Sequence, residues 1–263
     1  MTPGAPPTVI AHRDESLLAK AVAARLVTRL VDVQAARGTA SVVLTGGGIG
    51  TRVLAQMAAA PARDAVDWRR LDVWWGDERY LPDGDTERNE TAARAALLDH
   101  VNVDPARVHA MPRSDGPDPG PEAGAARYAD ELLAAARPED HGPVPSFDVL
   151  MLGIGPDAHV ASLFPEQPAL YEEERTVVAV RGAPKPPPTR ISLTFPAIRA
   201  AREVWVLAAG EPKARAVRMA LSGEAGEIQV PAAGVRGRQS TLYLVDRDAA
   251  SQLPAAMVEG RRI

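Results

Sequence analysis

The stretch GIGPDAHVASLFP places an acid and a histidine directly after a run of apolar residues. Asp157 and His159 stand two positions apart, behind two glycines that follow the apolar run FDVLML. A histidine titrates near neutral pH and can take a proton from water, and a neighbouring carboxylate fixes its tautomer and increases its basicity. We therefore interpret His159 as a general base and Asp157 as the acid that orients it.

Two other chemistries are disfavoured at this stretch. The remaining histidines lie in unrelated segments: His12, His100, His109 and His141. No second histidine therefore stands at the spacing of a metal ligand, and we expect no metal site here. Ser162 follows the histidine, but VASLF does not match the G-x-S-x-G pattern of a nucleophilic serine.

Three further apolar runs also end in a segment that contains glycine: LTGGGIG, WWGDERYLP and LAAGEPKA. In the first, Gly47 and Gly48 allow backbone N–H groups to gather round an anion at the start of a helix, where the helix dipole also favours negative charge. A tight turn that needs a positive φ angle explains the same glycines equally well.

The segment WWGDERYLP concentrates charge directly after an apolar run. A solvated loop is the usual explanation of such a cluster. At the end of a strand, however, the guanidinium of Arg79 can fork onto a phosphate or carboxylate. Asp77 can contact sugar hydroxyls or assist catalysis, and Asn89 suits either a helix N-cap or a substrate hydroxyl.

Two further basic residues extend this set. Arg190 begins the run RISLT, and Lys213 follows the glycine of AAGEPKA. Each alone is an ordinary surface charge. Together with Arg79 and the glycine loop they can form a phosphate pocket that needs no metal.

These segments require a scaffold in which strands alternate with helices. Apolar runs predict strands at SVVL, LDVWW, FDVLML, RTVVAV, RISLTFP, EVWVLAA and STLYLVD. Apolar residues at helical spacing predict helices between most of these strands, and Gly38 is expected to be the C-cap of the first helix. We predict an α/β fold: a single Rossmann-like domain over residues 1–263, with a mostly parallel sheet and helices on both faces.

Such a sheet binds ligands outside the carboxyl ends of its strands, so the four glycine-containing segments are expected to lie together. The proline- and glycine-rich stretches RSDGPDPGPEAG and RGAPKPPPTR are predicted to be surface loops of the same domain.

The overall composition limits the function classes. The net charge of −4 gives no reason to expect nucleic acid or an acidic membrane surface as a partner. The chain contains no cysteine, which excludes disulfides and thiol nucleophiles and fits a reducing compartment. Its first residues lack the pattern of a secretory signal, and no apolar run is long enough to cross a bilayer. We expect a cytoplasmic protein.

The combined segments resemble those of the 6-phosphogluconolactonase family. LTGGG, WWGDER, FDVLMLGIGPDAHVASLFP, RISLTFPAI and AAGEPKA occur in that family's order and spread over most of the chain. The resemblance implies hydrolysis of 6-phosphoglucono-δ-lactone to 6-phosphogluconate in the oxidative pentose phosphate pathway, without a metal or organic cofactor. It implies a phosphorylated sugar lactone as the small-molecule partner, and a monomer or a small homo-oligomer fits equally well.

The resemblance also implies roles for individual residues. His159 matches the catalytic histidine, and Asp157 matches the acid before it. The binding positions that match are Gly47, Gly48, Arg79, Arg190 and Lys213. One departure is Ala158, because the family usually has glycine between the acid and the histidine. If that position needs a positive φ, alanine costs roughly 1 kcal/mol there.

The nearest alternative within the same wider group is an aminosugar-phosphate deaminase or isomerase. Those enzymes resemble this chain at GDE and at G-I-G-x-D-x-H, and they place a glutamate five residues after the histidine. Here that residue is Phe164, which cannot relay a proton, so lactone hydrolysis is favoured. A second alternative is a regulator that binds a sugar phosphate without turnover. The intact pair of Asp157 and His159 argues against it, because a sensor needs no base.

Overall fold

The computed structural model describes residues 6–140 and 142–258 and contains two sheets. The larger, six-stranded sheet has the order β1 (Thr8–His12), β9 (Ser240–Asp246), β8 (Glu203–Ala208), β5 (Val149–Gly153), β2 (Ala40–Leu44), β3 (Leu71–Trp75). All of its neighbouring strands pair in parallel. The smaller sheet is antiparallel and has the order β4 (Asp77–Arg79), β7 (Arg190–Leu193), β6 (Val177–Val180).

The helices follow the strands along the chain. They are α1 (Glu15–Arg37), α2 (Gly47–Ala59), α3 (Asn89–Ala96), α4 (Pro121–Ala135), α5 (Phe195–Ile198), α6 (Ala214–Ser222) and α7 (Ala255–Val258). The N-cap of α1 is Asp14, whose carboxylate accepts the N–H of Leu17 at 2.8 Å. It ends at Gly38 with a φ of 82°, which confirms the predicted C-cap.

Helices cover both faces of the larger sheet. Val73 of β3 shares an apolar space with Leu26 of α1 and Leu54 of α2. The next residue, Trp74, points to the opposite face because side chains alternate along a strand. There its ring lies edge-on to that of Tyr128 in α4, with centroids 5.8 Å apart. The predicted α/β architecture, with a mostly parallel sheet between helices, is confirmed.

The order of the strands leaves a crevice at the carboxyl ends of β2 and β5. From β2 the chain runs to β3 on one side, and then returns to β5 on the other side. The loops after these strands diverge at this switch point, which is where open α/β sheets bind ligands. The two strand ends are joined by a hydrogen bond from Gly153 N–H to Thr45 Oγ1, 3.0 Å long.

Two features of the sheets were not predicted. The edge strand β1 was missed because it follows a proline-rich start and is short and only partly buried. The residues of β4 were predicted to be a loop, and β6 and β7 were predicted to belong to the main sheet. Instead the chain passes from β3 to β4 through Gly76 alone. Its N–H donates to Leu44 O at 3.1 Å and its carbonyl accepts Leu193 N–H at 2.9 Å, so the smaller sheet begins at the carboxyl end of the larger.

Among the described residues, no helix combines the length and apolarity that crossing a membrane would require.

Candidate active site

The acid and histidine predicted to act together are in contact in the loop after β5. His159 Nδ1 lies 2.5 Å from Asp157 Oδ1, and the imidazole is 16% exposed. Because Nδ1 faces a carboxylate, we assign the ring proton to it, so Nε2 is the nitrogen that can accept another. Burial raises the pKa of Asp157, but the hydrogen bond and charge of His159, together with Lys185, outweigh burial and hold this pKa well below its usual range. Asp157 is therefore ionised at physiological pH.

The backbone of this loop fits closely round the imidazole. Gly155 N–H donates to the carbonyl of His159 at 2.9 Å. A Cβ atom on Gly155 would overlap both the His159 ring and the Asp157 carboxylate, so this position requires glycine. The ring of Phe164 lies on the imidazole with centroids 4.5 Å apart. The histidine is thus held by packing as well as by its carboxylate.

Ala158, which stands where the family usually has glycine, adopts the left-handed conformation. Its φ angle is 65°, and its side chain is completely buried. Its N–H donates to Gly155 O at 2.9 Å, and its carbonyl accepts Ala232 N–H at 3.0 Å. Ala161 and Glu166 of the same loop also have positive φ angles. Such backbone strain persists only where the surrounding structure enforces it, and it is concentrated at functional sites.

Asp77 lies at the start of β4 and is 8% exposed. Its Oδ2 accepts the hydroxyl of Ser162 at 2.7 Å, and its carbonyl accepts Asn89 Nδ2 at 2.8 Å. Arg190 Nη1 lies 3.9 Å from the same carboxylate oxygen. Asp77 therefore ties the histidine loop to the smaller sheet, beside the acid–histidine pair.

The side chain of Glu78 holds the start of α3 against β4. It is fully buried and accepts the backbone N–H groups of Arg79, Asn89 and Glu90 at 2.8, 2.7 and 2.8 Å. Burial raises the pKa of Glu78 to about 7, although the charge of Arg88 and these donors favour the charged form. The carboxylate thus supplies the missing cap of α3. The side chain of Asn89 accepts Arg79 Nη1 and lies against Gly46, which leaves no room for a Cβ there.

The glycine loop forms the first turn of α2. Gly47 has a φ of 81°, and a Cβ on Gly47 or Gly48 would meet no atom within 4 Å. No acidic residue occupies the first turn. The backbone N–H groups at the positive end of this helix therefore border open space beside the site.

The structure adds Lys185, which sequence reasoning missed. This lysine lies in the stretch that was predicted to be a surface loop, yet its Nζ is 3.3 Å from Asp157 Oδ1 and 3.5 Å from His159 Nδ1. Lys213 lies nearby, at the end of the short turn after β8. Burial and the charge of Lys185 lower the pKa of Lys213, and the charge of Asp157 opposes this. Both lysines therefore belong to the surroundings of one carboxylate.

Arg190 lies at the site but faces the protein. It is 5% exposed, and its Nε donates to Pro187 O at 3.1 Å. Its Nη2 donates to Lys185 O at 3.1 Å and to Pro186 O at 3.2 Å. Its guanidinium also lies over the ring of Phe164, 5.7 Å from the centroid. Its position between β4 and the proline-rich loop connects the two.

His109 has a different set of neighbours. It is stacked on Trp74 with centroids 3.7 Å apart, and its ring nitrogens face Glu131 and Asp72. His141 lies outside the described residues. Within the described part of the chain, no three side chains of histidine, cysteine, aspartate or glutamate are grouped so that they could hold a metal ion.

Comparison with known proteins shows the family of this chain. The profile of the family described as glucosamine-6-phosphate isomerases/6-phosphogluconolactonase matches residues 13–244. A protein of Streptomyces coelicolor named 6-phosphogluconolactonase is 66% identical over 252 residues, which cover 95% of this chain and 96% of that protein. The chain belongs to the glucosamine-6-phosphate isomerase/6-phosphogluconolactonase family. The resemblance found in the separated sequence motifs is thereby confirmed.

Solved structures of the family share the fold described above. The structure of 6-phosphogluconolactonase from Trypanosoma brucei has a TM-score of 0.76 and 28% identity, covering 94% of this chain and 99% of that one. A monomeric glucosamine-6-phosphate deaminase superposes with a TM-score of 0.75, covering 93% of this chain and 99% of that one. Its identity of 21% shows the fold alone. Since both activities occur on this scaffold, individual side chains must separate them.

Proposed function

We propose that this chain hydrolyses 6-phosphoglucono-δ-lactone to 6-phosphogluconate in the oxidative pentose phosphate pathway, in the cytoplasm, as a monomer or small homo-oligomer. Family membership and the close relative named 6-phosphogluconolactonase support the reaction. The observation that carries it is the 2.5 Å contact of His159 Nδ1 with Asp157, because this contact leaves Nε2 as a base for water.

The reaction needs one activated water molecule. His159 Nε2 takes a proton from water as the water oxygen attacks the lactone carbonyl carbon. The tetrahedral intermediate then collapses, the bond from that carbon to the ring oxygen breaks, and the imidazolium returns its proton to the ring oxygen. Asp157 stabilises the imidazolium that exists between the two proton transfers. General base catalysis of this kind contributes about 10²- to 10⁴-fold.

The phosphate of the substrate is held away from the reacting carbon. Lys213, Arg79 and the N–H groups of Gly47 and Gly48 supply positive charge and donors at the mouth of the crevice. Arg190 supports this pocket from behind, since its donors already bind the carbonyls of residues 185–187. Binding energy at the phosphate positions the lactone for attack.

The hydroxyl groups of the sugar face the polar edge formed by β4 and α3. Asp77 and Asn89 lie there, joined to one another by the 2.8 Å hydrogen bond. We assign them to the orientation of the sugar, and Asp77 additionally fixes the histidine loop through Ser162.

Phe164 argues against deamination or isomerisation at this site. It occupies the position where the related deaminases have a glutamate, and it is fully buried against the imidazole. An apolar ring cannot pass a proton to a sugar ring oxygen, so ring opening of an aminosugar phosphate lacks its acid. A purely regulatory binder is disfavoured by the ordered acid–histidine pair, because binding alone does not require a base.

A pH-stat assay on freshly prepared 6-phosphogluconolactone tests the proposal. Spontaneous hydrolysis must be subtracted, and ammonia release from glucosamine 6-phosphate is measured in parallel. We expect acid release well above the spontaneous rate and no ammonia. Ammonia release, or binding of the phosphosugar without acid release, would replace hydrolysis by one of the two alternatives.

A further inference from the structure

Lys185 contacts the acid–histidine pair at Asp157 Oδ1 and on the Nδ1 side of the imidazole. Its Nζ lies 3.3 Å from Asp157 Oδ1, the same oxygen that His159 Nδ1 contacts. Its contact is therefore with the carboxylate and with Nδ1, and not with Nε2, the nitrogen proposed as the base. A cation that shares this oxygen competes with the imidazole for the negative charge of Asp157.

The backbone of Lys185 is held by hydrogen bonds while its side chain is partly exposed. Arg190 binds the carbonyls of residues 185–187, and Ala183 N–H closes the loop onto Pro188 O at 3.0 Å. The prolines at positions 186–188 restrict the backbone further. The side chain of Lys185 is nevertheless 42% exposed. The ammonium can therefore leave Asp157 for a bound anion without any change in the loop.

A phosphate bound beside a second lysine would supply the place to which the ammonium can move. The chain has only three lysines, Lys20, Lys185 and Lys213. Asp157 and Lys213 follow β5 and β8, which pair in parallel, so both lie at the same edge of the sheet. The charges of Lys185 and Asp157 also act on the pKa of Lys213, in opposite directions. Two ammonium groups near one carboxylate leave an excess of positive charge, which a dianion would relieve. The 6-phosphate of the proposed substrate is such a dianion.

We propose that Lys185 is a positioning residue that couples occupation of the phosphate pocket to the strength of the catalytic base. In the free protein its ammonium holds Asp157. When a phosphate dianion binds beside Lys213, the ammonium of Lys185 turns to it, and Asp157 then acts on His159 alone. This inference rests on the proposed lactone hydrolysis and explains how the phosphate group would favour turnover as well as binding.

The coupling predicts selectivity in turnover. A lactone without phosphate meets a base whose carboxylate is shared with Lys185, so its hydrolysis is slow even when it is bound. Coupling free energies between two sites typically correspond to about 5- to 150-fold changes. A free dianion that fills the phosphate pocket should therefore restore part of this factor.

The test measures hydrolysis of unphosphorylated glucono-δ-lactone with and without phosphite dianion at constant ionic strength. The proteins compared are the parent, Lys185→Met and the control Lys20→Met, which removes an exposed lysine on α1. Thermal unfolding verifies that each variant folds, and Lys185→Gln repeats the test with a polar side chain. Turnover of 6-phosphogluconolactone by the parent is measured alongside.

We expect phosphite to raise kcat/KM of the parent and of Lys20→Met by at least about 5-fold. Lys185→Met and Lys185→Gln should show less than about 2-fold activation, and their phosphite-free value should lie above that of the parent, because Asp157 then acts on His159 alone. The inference would be overturned if these variants were activated as strongly as the parent, if their phosphite-free value were equal to or below that of the parent, or if phosphite did not activate the parent. Lack of turnover of the phosphorylated lactone would instead refute the proposed function itself.

Discussion

Nη2 of Arg190 donates a hydrogen bond of 3.1 Å to the carbonyl oxygen of Lys185. Removing this guanidinium leaves the loop carbonyls without their buried donor, which typically costs about 1–3 kcal/mol for an unsatisfied group. We expect Arg190→Ala to raise KM for the phosphorylated lactone and to lower kcat, because the phosphate pocket and the Lys185 loop both loosen. Steady-state kinetics check this, with exposed Arg69→Ala as the control. Unchanged kinetics would remove Arg190 from the site.

The role of His159 as a base can be tested against another histidine of the chain. His159→Ala should lower kcat by at least about 10²-fold, because it removes the proposed acceptor of the water proton. Its thermal unfolding temperature should change little, since the loop keeps its backbone hydrogen bonds. His100→Ala, which removes an exposed histidine, serves as the matched control and should keep full activity. Near-normal turnover of His159→Ala would disprove the assignment.

The alanine between the acid and the histidine makes a quantitative prediction about stability. The left-handed conformation costs Ala158 roughly 1–2 kcal/mol. Replacing it by glycine removes this strain. Glycine also increases the conformational entropy of the unfolded chain and removes a fully buried methyl group, and each of these effects destabilises the fold by about 0.5–1 kcal/mol. We expect Ala158→Gly to change the free energy of unfolding by less than about 1 kcal/mol.

Ala158→Val provides the contrast in the same urea-unfolding experiment. A β-branched residue is strongly disfavoured at positive φ and has no free space at this buried position, so the free energy of unfolding should fall by about 2 kcal/mol or more. Equal stability of the valine and glycine variants would show that the backbone here is not constrained.

His109 gives the fold a pH dependence that is separate from catalysis. Its Nδ1 lies 2.7 Å from Glu131 Oε1, and its Nε2 lies 3.2 Å from Asp72 Oδ1. The other carboxylate oxygen of Asp72 accepts a hydrogen bond from Arg107. Burial lowers the pKa of His109, but hydrogen bonds and charge from the two carboxylates outweigh it, so the pKa lies above its usual value of 6.5. The contribution to stability is therefore complete below pH 6.5 and is lost as the pH rises through the raised pKa.

Urea unfolding between about pH 6 and about pH 9 measures this effect. The free energy of unfolding of the parent should fall over this range, whereas His109→Gln, which keeps hydrogen-bonding groups but does not titrate, should show a smaller fall. Parallel curves for the two proteins would mean that His109 is not the group responsible.

The alternation of strands and helices was predictable because the central strands are apolar on both faces. The short strands of the smaller sheet were not, because their pairing depends on contacts between distant segments. Arg79 pairs with Arg190, for example, although they are more than a hundred positions apart. No local pattern in either segment indicates an antiparallel partner.

The candidate site shows the same division. Asp157 and His159 could be predicted to interact because they share one loop at the end of a strand. Lys185 could not, because a lysine among prolines has the composition of an exposed loop, and only the pairing of β7 with β4 brings it to Asp157. The need for a positive φ at Ala158 was foreseen from glycine in related sequences, whereas its burial was visible only in the fold.

The scarcity of lysine has a practical consequence for anyone who labels or immobilises this protein. Lys213 has a lowered pKa, so a larger fraction of it is unprotonated and nucleophilic at mildly alkaline pH. Apart from the amino terminus, amine-reactive dyes and resins meet only one lysine outside the crevice, Lys20. Such reagents would therefore also modify Lys185 and Lys213 beside the acid–histidine pair, whereas attachment through an introduced cysteine would leave these lysines and Asp157 intact.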